Sequence, residues 1–447
     1  MKFEELKQAL VAAAERRGLK EYEIYYQAEE SISAETLKQE ISSFSSSNTG
    51  GICFRCIVDG KMGYASGEWM TEEAMEEMVA NAISNAHAID SEDEVFIFAG
   101  SPSYASLPER EIKLIDPAAV RDTALKLQAD HYAICDKVAD GTQSAAVGAV
   151  SEIHLCNSKG LDLSNRVGVS FAYSSVVVRE GEEAQESFEY AVGESYEDVK
   201  DMPAKAVQSA LDKLGATTVP SGKYNVLFSG KQFRSFLSVF SSAFSAKNAQ
   251  MGLSLLAGKE GEQIAAECVT VTDDPMREGC PMQTNFDGEG VATARRNVIE
   301  KGVLKTLLYD LTTAKKAGVE STGNGQKGAY LSPVSIAPYN FSLAAGDASE
   351  EELFAAVGNG IYVTECKGFH AGADAVTGDF SIESAGFMIR DGKKAEPIKS
   401  FTVAGNFYQL LKQIDRLGNE VKWGLPGGFT VFGSPDVLIR DMSVAGK

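Results

Sequence analysis

The chain has 447 residues, with 42 Lys or Arg and 63 Asp or Glu, which gives a formal net charge of −21. Such a negative surface repels phosphate backbones, so we expect no direct binding to nucleic acids. Hydrophobic residues make up 44% of the chain and charged residues 23%, a composition that is typical of globular proteins and excludes wholesale disorder.

The N-terminal segment and the cysteines indicate where the protein resides. Residues 1–10 are polar and amphipathic and lack the apolar core of a secretory signal. No run of about 18 apolar residues occurs, so we expect no transmembrane helix. The seven cysteines are scattered, without the spacing of a disulfide framework or a zinc site. We therefore expect a cytoplasmic protein with reduced thiols and no membrane contact.

The first unit of the chain is predicted to begin with an amphipathic helix, followed by a strand over residues 22–27. The serine-rich stretch at 42–49 is predicted to form a turn. Asp59-Gly60 lies between two strand-like runs, which is a strong signal of a hairpin. Thr71 then caps a second helix, whose first turn is acidic.

A second unit repeats this order. Strands are predicted at 144–156, 161–178 and 184–193, followed by a helix that ends at Gly215. The shared order indicates a weak internal duplication, whereas two unrelated ββα units would give a similar pattern.

The pattern changes after residue 220. A strand over Tyr224–Phe228 precedes a helix predicted at 231–246, and a further helix is predicted at 407–417. Asp391-Gly392 predicts another hairpin. The helix at 231–246 has an apolar face with helical spacing, formed by Phe233, Phe236, Leu237, Phe240 and Phe244.

Together these elements predict a multi-domain α+β protein. The N-terminal half contains the two related ββα-type units, and the C-terminal half is a mixed, mainly antiparallel β-rich domain with flanking helices. We place the domains at 1–105, 106–220 and 221–447.

No motif forms a complete catalytic constellation by itself. Cys53 and Cys56 are three residues apart in a strand, so they point to opposite faces and favour packed thiols over a redox or zinc pair. Residues 323–328 have GxGxxG spacing without a preceding strand and a following helix, which favours a loop. The acidic segments 273–275 and 287–290 either supply carboxylates to a site or form turns.

Several blocks in a fixed order nevertheless resemble the TldD/PmbA family. The resemblance begins at about residue 20 and continues to the C-terminus. The blocks that carry it are Val58–Ala65, Val269–Pro275, Phe286–Thr293, Val298–Lys305, Ser321–Asn324, Val376–Ser381 and Thr402–Asn406.

The resemblance implies a relation to cytosolic peptide-processing metallopeptidases, also called modulators of DNA gyrase. In their catalytic branch, an HExxxH helix and a cysteine in a C-terminal glycine-rich segment bind zinc. Here Ser238 and Ala243 stand in place of the two histidines, and Val239 stands in place of the glutamate. The glycine-rich segment, Gly424–Phe429, contains no cysteine. These differences are those of the non-metal-binding PmbA/TldE-like branch.

The resemblance therefore implies an accessory subunit that is inactive alone and dimerises through its C-terminal half. It has no cofactor of its own, because zinc is expected only in a TldD-like catalytic partner. The candidate residues for a peptide cleft are Ser238, Ser241, Ser242 and Asp287. Two alternatives remain: a stand-alone homodimeric protein that binds peptides or regulates, and an independent hydrolase whose site the sequence does not reveal.

Overall fold

The computed structural model describes residues 2–90 and 94–447. The N-terminal elements are, in chain order, α1 (Phe3–Arg16), β1 (Tyr22–Leu37), β2 (Glu40–Val58), β3 (Lys61–Gly67), α2 (Glu72–Ala88), α3 (Pro117–Ile134), β4 (Gln143–Asn157), β5 (Asp162–Glu180), β6 (Glu183–Gly193) and α4 (Met202–Leu211). The six strands form one antiparallel sheet in the order β3-β2-β1-β4-β5-β6.

The two predicted units occupy the two halves of this sheet. Each consists of three strands between two helices, α1 to α2 in the first half and α3 to α4 in the second. The halves join where β1 pairs with β4 along nearly its whole length. Because β1 and β4 are the first strands of their units, the sheet is roughly symmetrical about their contact.

The prediction of a turn in the serine-rich stretch 42–49 is wrong. These residues lie inside β2 and pair with β1, for example Ser45 with Ser33. The chain turns earlier, at Lys38 and Gln39, whose φ angles are 53° and 64°. A two-residue hairpin with both φ angles positive normally contains Asn or Gly. Because this turn has Lys and Gln instead, the sequence did not indicate it.

The C-terminal elements are, in chain order, β7 (Gly222–Phe228), α5 (Gly230–Phe240), α6 (Ala246–Gln250), β8 (Val271–Asp273), β9 (Arg296–Glu300), β10 (Val303–Leu304), α7 (Leu311–Ala317), β11 (Gly325–Gln326), β12 (Ser335–Ile336), β13 (Asn340–Leu343), α8 (Glu350–Val357), β14 (Gly360–Lys367), α9 (Phe369–Gly372), β15 (Asp379–Arg390), β16 (Lys393–Asn406), α10 (Phe407–Gln413), β17 (Ile414–Leu417), β18 (Lys422–Trp423), β19 (Val431–Ser434) and β20 (Val437–Ala445).

Two larger sheets and one small hairpin organise this half. One sheet has the order β16-β15-β14-β7-β20-β17, and a further pairing of β16 with β20 closes five of its strands into a barrel. The other has the order β10-β9-β8-β13-β19-β18. Most pairs are antiparallel, whereas β7 with β14 and β13 with β19 are parallel. This confirms the predicted α+β class with a mainly antiparallel C-terminal half.

Helix α5 lies in the core between the two larger C-terminal sheets. The predicted apolar face is fully buried there. The helix is shorter than predicted, because a 3-10 turn over Ser241–Phe244 follows Phe240 and α6 then begins after Ser245. The helix predicted at 407–417 is also too long, because Ile414–Leu417 pairs with β20 as strand β17.

No helix within residues 2–90 and 94–447 combines the length and the apolar character needed to cross a membrane.

A buried histidine in the last turn of α3 predicts a pH-dependent stability. His131 is fully buried, its Nε2 lies 2.8 Å from the Ser174 hydroxyl, and burial lowers its pKa from 6.5 to about 4. The neutral form is therefore favoured in the folded state. Its stabilisation is complete above pH 6.5 and is lost as the pH falls towards 4, by about 3 kcal/mol in total.

Urea unfolding at several pH values between 4 and 7 measures this effect. We expect the free energy of unfolding to rise with pH more steeply for the native chain than for the variant His131→Leu. When the native chain unfolds, His131 is exposed and binds a proton, whereas the variant has no imidazole at this position. Equal slopes would show that His131 is protonated in the folded protein as well.

Candidate functional site

Helix α5 and the 3-10 turn after it carry three of the predicted cleft residues. Ser238 and Ser242 are exposed, and Ser241 is half-buried with its hydroxyl donating to the Ser238 carbonyl oxygen at 2.8 Å. Phe236 and Phe240 point into the core on the other side of the helix. The serines therefore face away from the core, as predicted, but they line neither of the two cavities described below.

The glycine-rich segment 424–429 follows a strand that lies next to α5. The Arg234 guanidinium on α5 donates to the Trp423 carbonyl oxygen at 2.7 Å. A Cβ atom placed on Gly424 would lie 3.3 Å from the Arg234 side chain. The two segments in which the resemblance places the zinc ligands of the catalytic branch are therefore neighbours in this fold.

The side chains present in these segments do not fit zinc. Zinc in proteins takes imidazole, thiolate or carboxylate ligands, and the positions on α5 and in the 3-10 turn after it offer Ser238, Val239 and Ala243 instead. Within the described part of the chain, no group of three or more His, Cys, Asp or Glu residues is placed to hold a metal ion.

Asp287, the fourth predicted cleft residue, fastens a loop. Its Oδ1 accepts the backbone N–H groups of Glu289 and Val291, and its Oδ2 accepts that of Gly325, each at 2.9 Å. The residue is 3% exposed. All of these donors are backbone groups, so the carboxylate holds the segment 287–291 against the hairpin β11–β12.

A cavity of about 720 Å³, here called the main cavity, lies between the N-terminal sheet and the C-terminal half. Strands β1, β2 and β3 form one wall, and helix α6 with the loops around α7 and β11 forms the other. Its charged lining residues are Glu23, Arg55, Lys247, Glu289, Asp310, Lys316 and Lys327.

The carboxylates of the main cavity already have partners. Glu23 Oε1 lies 2.7 Å from an Arg55 guanidinium nitrogen, directly across the β1–β2 pair. Glu289 Oε2 accepts the backbone N–H of Leu311 at 2.8 Å. Asp310 caps helix α7 through its Oδ1. These acids therefore have structural roles.

Burial shifts the ionisation of several groups around the main cavity. Loss of water and the neighbouring Asp287 and Asp310 carboxylates raise the pKa of Glu289. Burial also raises the pKa of Asp287, although its three backbone donors oppose this. Burial lowers the pKa of Lys327, whose ammonium lies 4.5 Å from the centre of the Tyr25 ring. The main cavity thus contains a glutamate that ionises less readily than usual, Glu289, and a lysine that has lost part of its hydration, Lys327.

A second cavity, of about 600 Å³, lies between the β6–α4 region and the C-terminal barrel. It contains five lysines, and each is paired with a carboxylate. The pairs are Lys213–Glu365, Lys231–Glu189, Lys367–Glu186, Lys394–Asp212 and Lys422–Asp436. Because each lysine is paired, we regard the second cavity as a structural contact that holds the β6–α4 region against the C-terminal barrel.

The sequence points to one segment of the main cavity wall. For residues 287–290 it leaves open a supply of carboxylates to a site or a turn, and in the structure this segment supplies Glu289 to the wall. Lys327 belongs to the glycine-rich segment 323–328, which is predicted to be a loop and is one apart from the two-residue strand β11 within it. No sequence pattern indicated Arg55 or Glu23, because each is a single charged residue in a strand. They become part of a cavity only because the C-terminal half of the chain packs against β1 and β2.

Profiles of the PmbA/TldA metallopeptidase family match three stretches of the chain. Domain 1 matches residues 22–86, the central domain 110–214 and the C-terminal domain 221–446. The chain belongs to this family. The resemblance seen in the sequence blocks is thereby confirmed.

Relatives of this PmbA/TldA family member span nearly its whole length. It is 29% identical over 419 residues to a metalloprotease of Methanothermobacter thermautotrophicus, with 90% of each chain covered. It is 24% identical over 425 residues to metalloprotease PmbA of Escherichia coli O157:H7, with 93% of this chain and 90% of the relative covered.

Solved structures share the fold. A Thermotoga maritima protein described as a modulator of a DNA gyrase is 30% identical, with a TM-score of 0.89 over 99% of this chain and 100% of its own. TldE from Thermococcus kodakarensis has a TM-score of 0.90 at 24% identity, again over 99% of this chain and 100% of its own. The latter likeness concerns the fold alone.

Proposed function

We propose that this protein is the non-metal-binding subunit of a PmbA/TldD-type metallopeptidase complex that processes or degrades peptides in the cytoplasm. A TldD-like catalytic subunit supplies the zinc, and the two chains form a heterodimer. One observation carries the proposal. Helix α5 and the glycine-rich segment lie side by side in a family fold, yet neither offers an imidazole or thiolate ligand.

The edge of strand β2 supports a role in holding the peptide. Residues 40–51 pair with β1, whereas β3 pairs only with Ile52–Val58. In the regions that the structure describes, no strand pairs with the other side of residues 40–51. Residues 43–51 follow a bulge at Ser42 and carry no charge or proline, the usual protection of an edge strand. An extended peptide can add there through backbone hydrogen bonds.

The same edge favours a second candidate function. A stand-alone homodimer that binds peptides without cleaving them needs this strand edge and no zinc. The two candidates differ in whether peptide turnover appears when a catalytic chain is added.

Reconstitution with an HExxxH paralogue from the same genome tests the proposal. We expect the purified chain alone to hold no stoichiometric zinc by elemental analysis and to cleave no peptide. We expect it to co-elute with the paralogue in size-exclusion chromatography, and we expect the mixture to cleave an unstructured peptide, because only the paralogue supplies the metal site.

Two variants serve as controls for the reconstitution. Replacing the paralogue's HExxxH glutamate with glutamine should abolish cleavage while the complex still forms. Ser238→Ala in this chain should leave turnover unchanged, because in the described residues no His or Lys lies within hydrogen-bond reach of this hydroxyl to activate it. Stoichiometric zinc together with peptide cleavage by this chain alone would contradict the proposal.

A further inference from the structure

We propose that the main cavity binds a carboxylate group of the peptide, with Lys327 as the principal contact and Lys247 as a second. The inference rests on the proposed function only in taking the ligand to be a peptide. The carboxylate is either the C-terminus of the peptide or an acidic side chain.

The first support is the unequal pairing of charges around the main cavity. Its acids are occupied: Glu23 by Arg55, Glu289 by a backbone N–H group and Asp310 by the cap of α7. Among the described residues, neither Lys327 nor Lys247 has a carboxylate oxygen within 4.0 Å. The second cavity has the opposite character, since all its lysines are paired. Of these two cavities, as far as the structure describes them, only the main cavity thus has ammonium groups without a carboxylate partner.

The second support is the way in which Lys327 is held. Its backbone follows β11, and its stem passes Gly288, where an added Cβ would lie 3.0 Å from Lys327 Cγ. The ammonium lies against the Tyr25 ring. A positioned, partly dehydrated ammonium without an anion loses hydration energy, and a ligand carboxylate would restore that energy through a charge-assisted hydrogen bond.

The third support is the polarity of the remaining wall. The Arg55 guanidinium lines the same cavity as Lys327, and its buried Nε–H has no acceptor among the described residues. Met251 and Leu331, which line the cavity on its other side, are each 61% exposed. An anion site bordered by apolar side chains suits a short peptide better than a free inorganic ion, because both parts of the ligand gain contacts.

Isothermal titration calorimetry on the purified full-length chain tests this inference. The probe is an N-acetylated hexapeptide with one internal glutamate, used as the free acid, as the C-terminal amide, and with glutamine in place of glutamate in each form. We expect the doubly neutral peptide to bind about tenfold more weakly than the peptide that carries the recognised carboxylate. Loss on amidation identifies the C-terminus, and loss on glutamate replacement identifies a side chain.

Variants connect the effect to the cavity. Lys327→Met should weaken binding of the anionic peptide about tenfold and leave the neutral peptide unaffected, whereas Lys327→Arg should retain most of the affinity. The matched control is Lys394→Met in the second cavity, which removes a paired lysine and should change neither affinity. Thermal unfolding checks that each variant is folded.

Three results would overturn the inference: equal affinity for neutral and anionic peptides, equal weakening of both by Lys327→Met, or no binding of any peptide. None of them bears on whether this chain assembles with a catalytic paralogue, which the reconstitution measures separately. Failure of the carboxylate site and failure of the accessory-subunit proposal are therefore distinguishable.

Discussion

Replacing Phe240 with alanine is expected to lower the free energy of unfolding by about 3–5 kcal/mol. The side chain is fully buried at the end of α5. Its ring stacks on Phe407, with the ring centres 4.5 Å apart and the planes at 12°, and it meets Phe380 edge-on. Truncation removes this contact and leaves a cavity that the surrounding barrel strands cannot easily fill. Urea denaturation of the two proteins measures the difference.

Ser238→Ala is the matched control on the same helix. Ser238 is exposed, and its own hydroxyl has no hydrogen-bond partner among the described residues, so the free energy of unfolding should change by no more than about 0.5 kcal/mol. A Phe240→Ala variant as stable as Ser238→Ala would show that this end of α5 is not part of the cooperative core.

Some of the fold could be predicted because its signals are local. The hairpins at Asp59-Gly60 and Asp391-Gly392 were predicted correctly, since in both cases the two turn residues have the positive φ angles that this dipeptide tolerates. The burial of the α5 phenylalanines was also predicted correctly, because a stripe with helical spacing can be buried on only one side of the helix.

Other features depended on contacts between distant segments. Ile414–Leu417 has an apolar pattern that suits a helix, but pairing with β20 makes it a strand. Serines at 42–49 look like a turn, yet β1 offers them partners along its length. Tertiary pairing outweighed local preference in both cases.

The candidate site shows the same limit. The family pattern suggests the four predicted cleft residues, and their role in a cleft remains a prediction. The main cavity instead joins Glu23 and Arg55 to Glu289 and Lys327, more than two hundred positions later in the chain. No local pattern in the sequence brings such residues together; only the packing of the C-terminal half on β1 and β2 does so.

The pair formed by Glu23 and Arg55 leads to the other large expected effect. Glu23 is 3% exposed, its Oε2 has no hydrogen-bond donor among the described residues, and its Oε1 contacts Arg55 at 2.7 Å. Glu23→Ala should lower the free energy of unfolding by about 3–5 kcal/mol, because it leaves the Arg55 guanidinium buried without its principal counter-charge. The nearby Glu289 carboxylate offsets part of this loss by ionising more readily.

The double variant Glu23→Leu with Arg55→Met distinguishes two quantities. One is the contribution of the ion pair to the free energy of unfolding, and the other is the destabilisation caused by an unpaired buried charge. Removing both charges also removes their desolvation penalty, so we expect the double variant to recover most of the stability lost in Glu23→Ala. Denaturant unfolding of the native chain, of Glu23→Leu, of Arg55→Met and of the double variant forms a complete cycle. If the double variant were as unstable as the sum of the two single variants, the ion pair would contribute no coupling energy. The loss in Glu23→Ala would then come from packing, and Arg55 would not depend on Glu23 as its counter-charge in the wall of the main cavity.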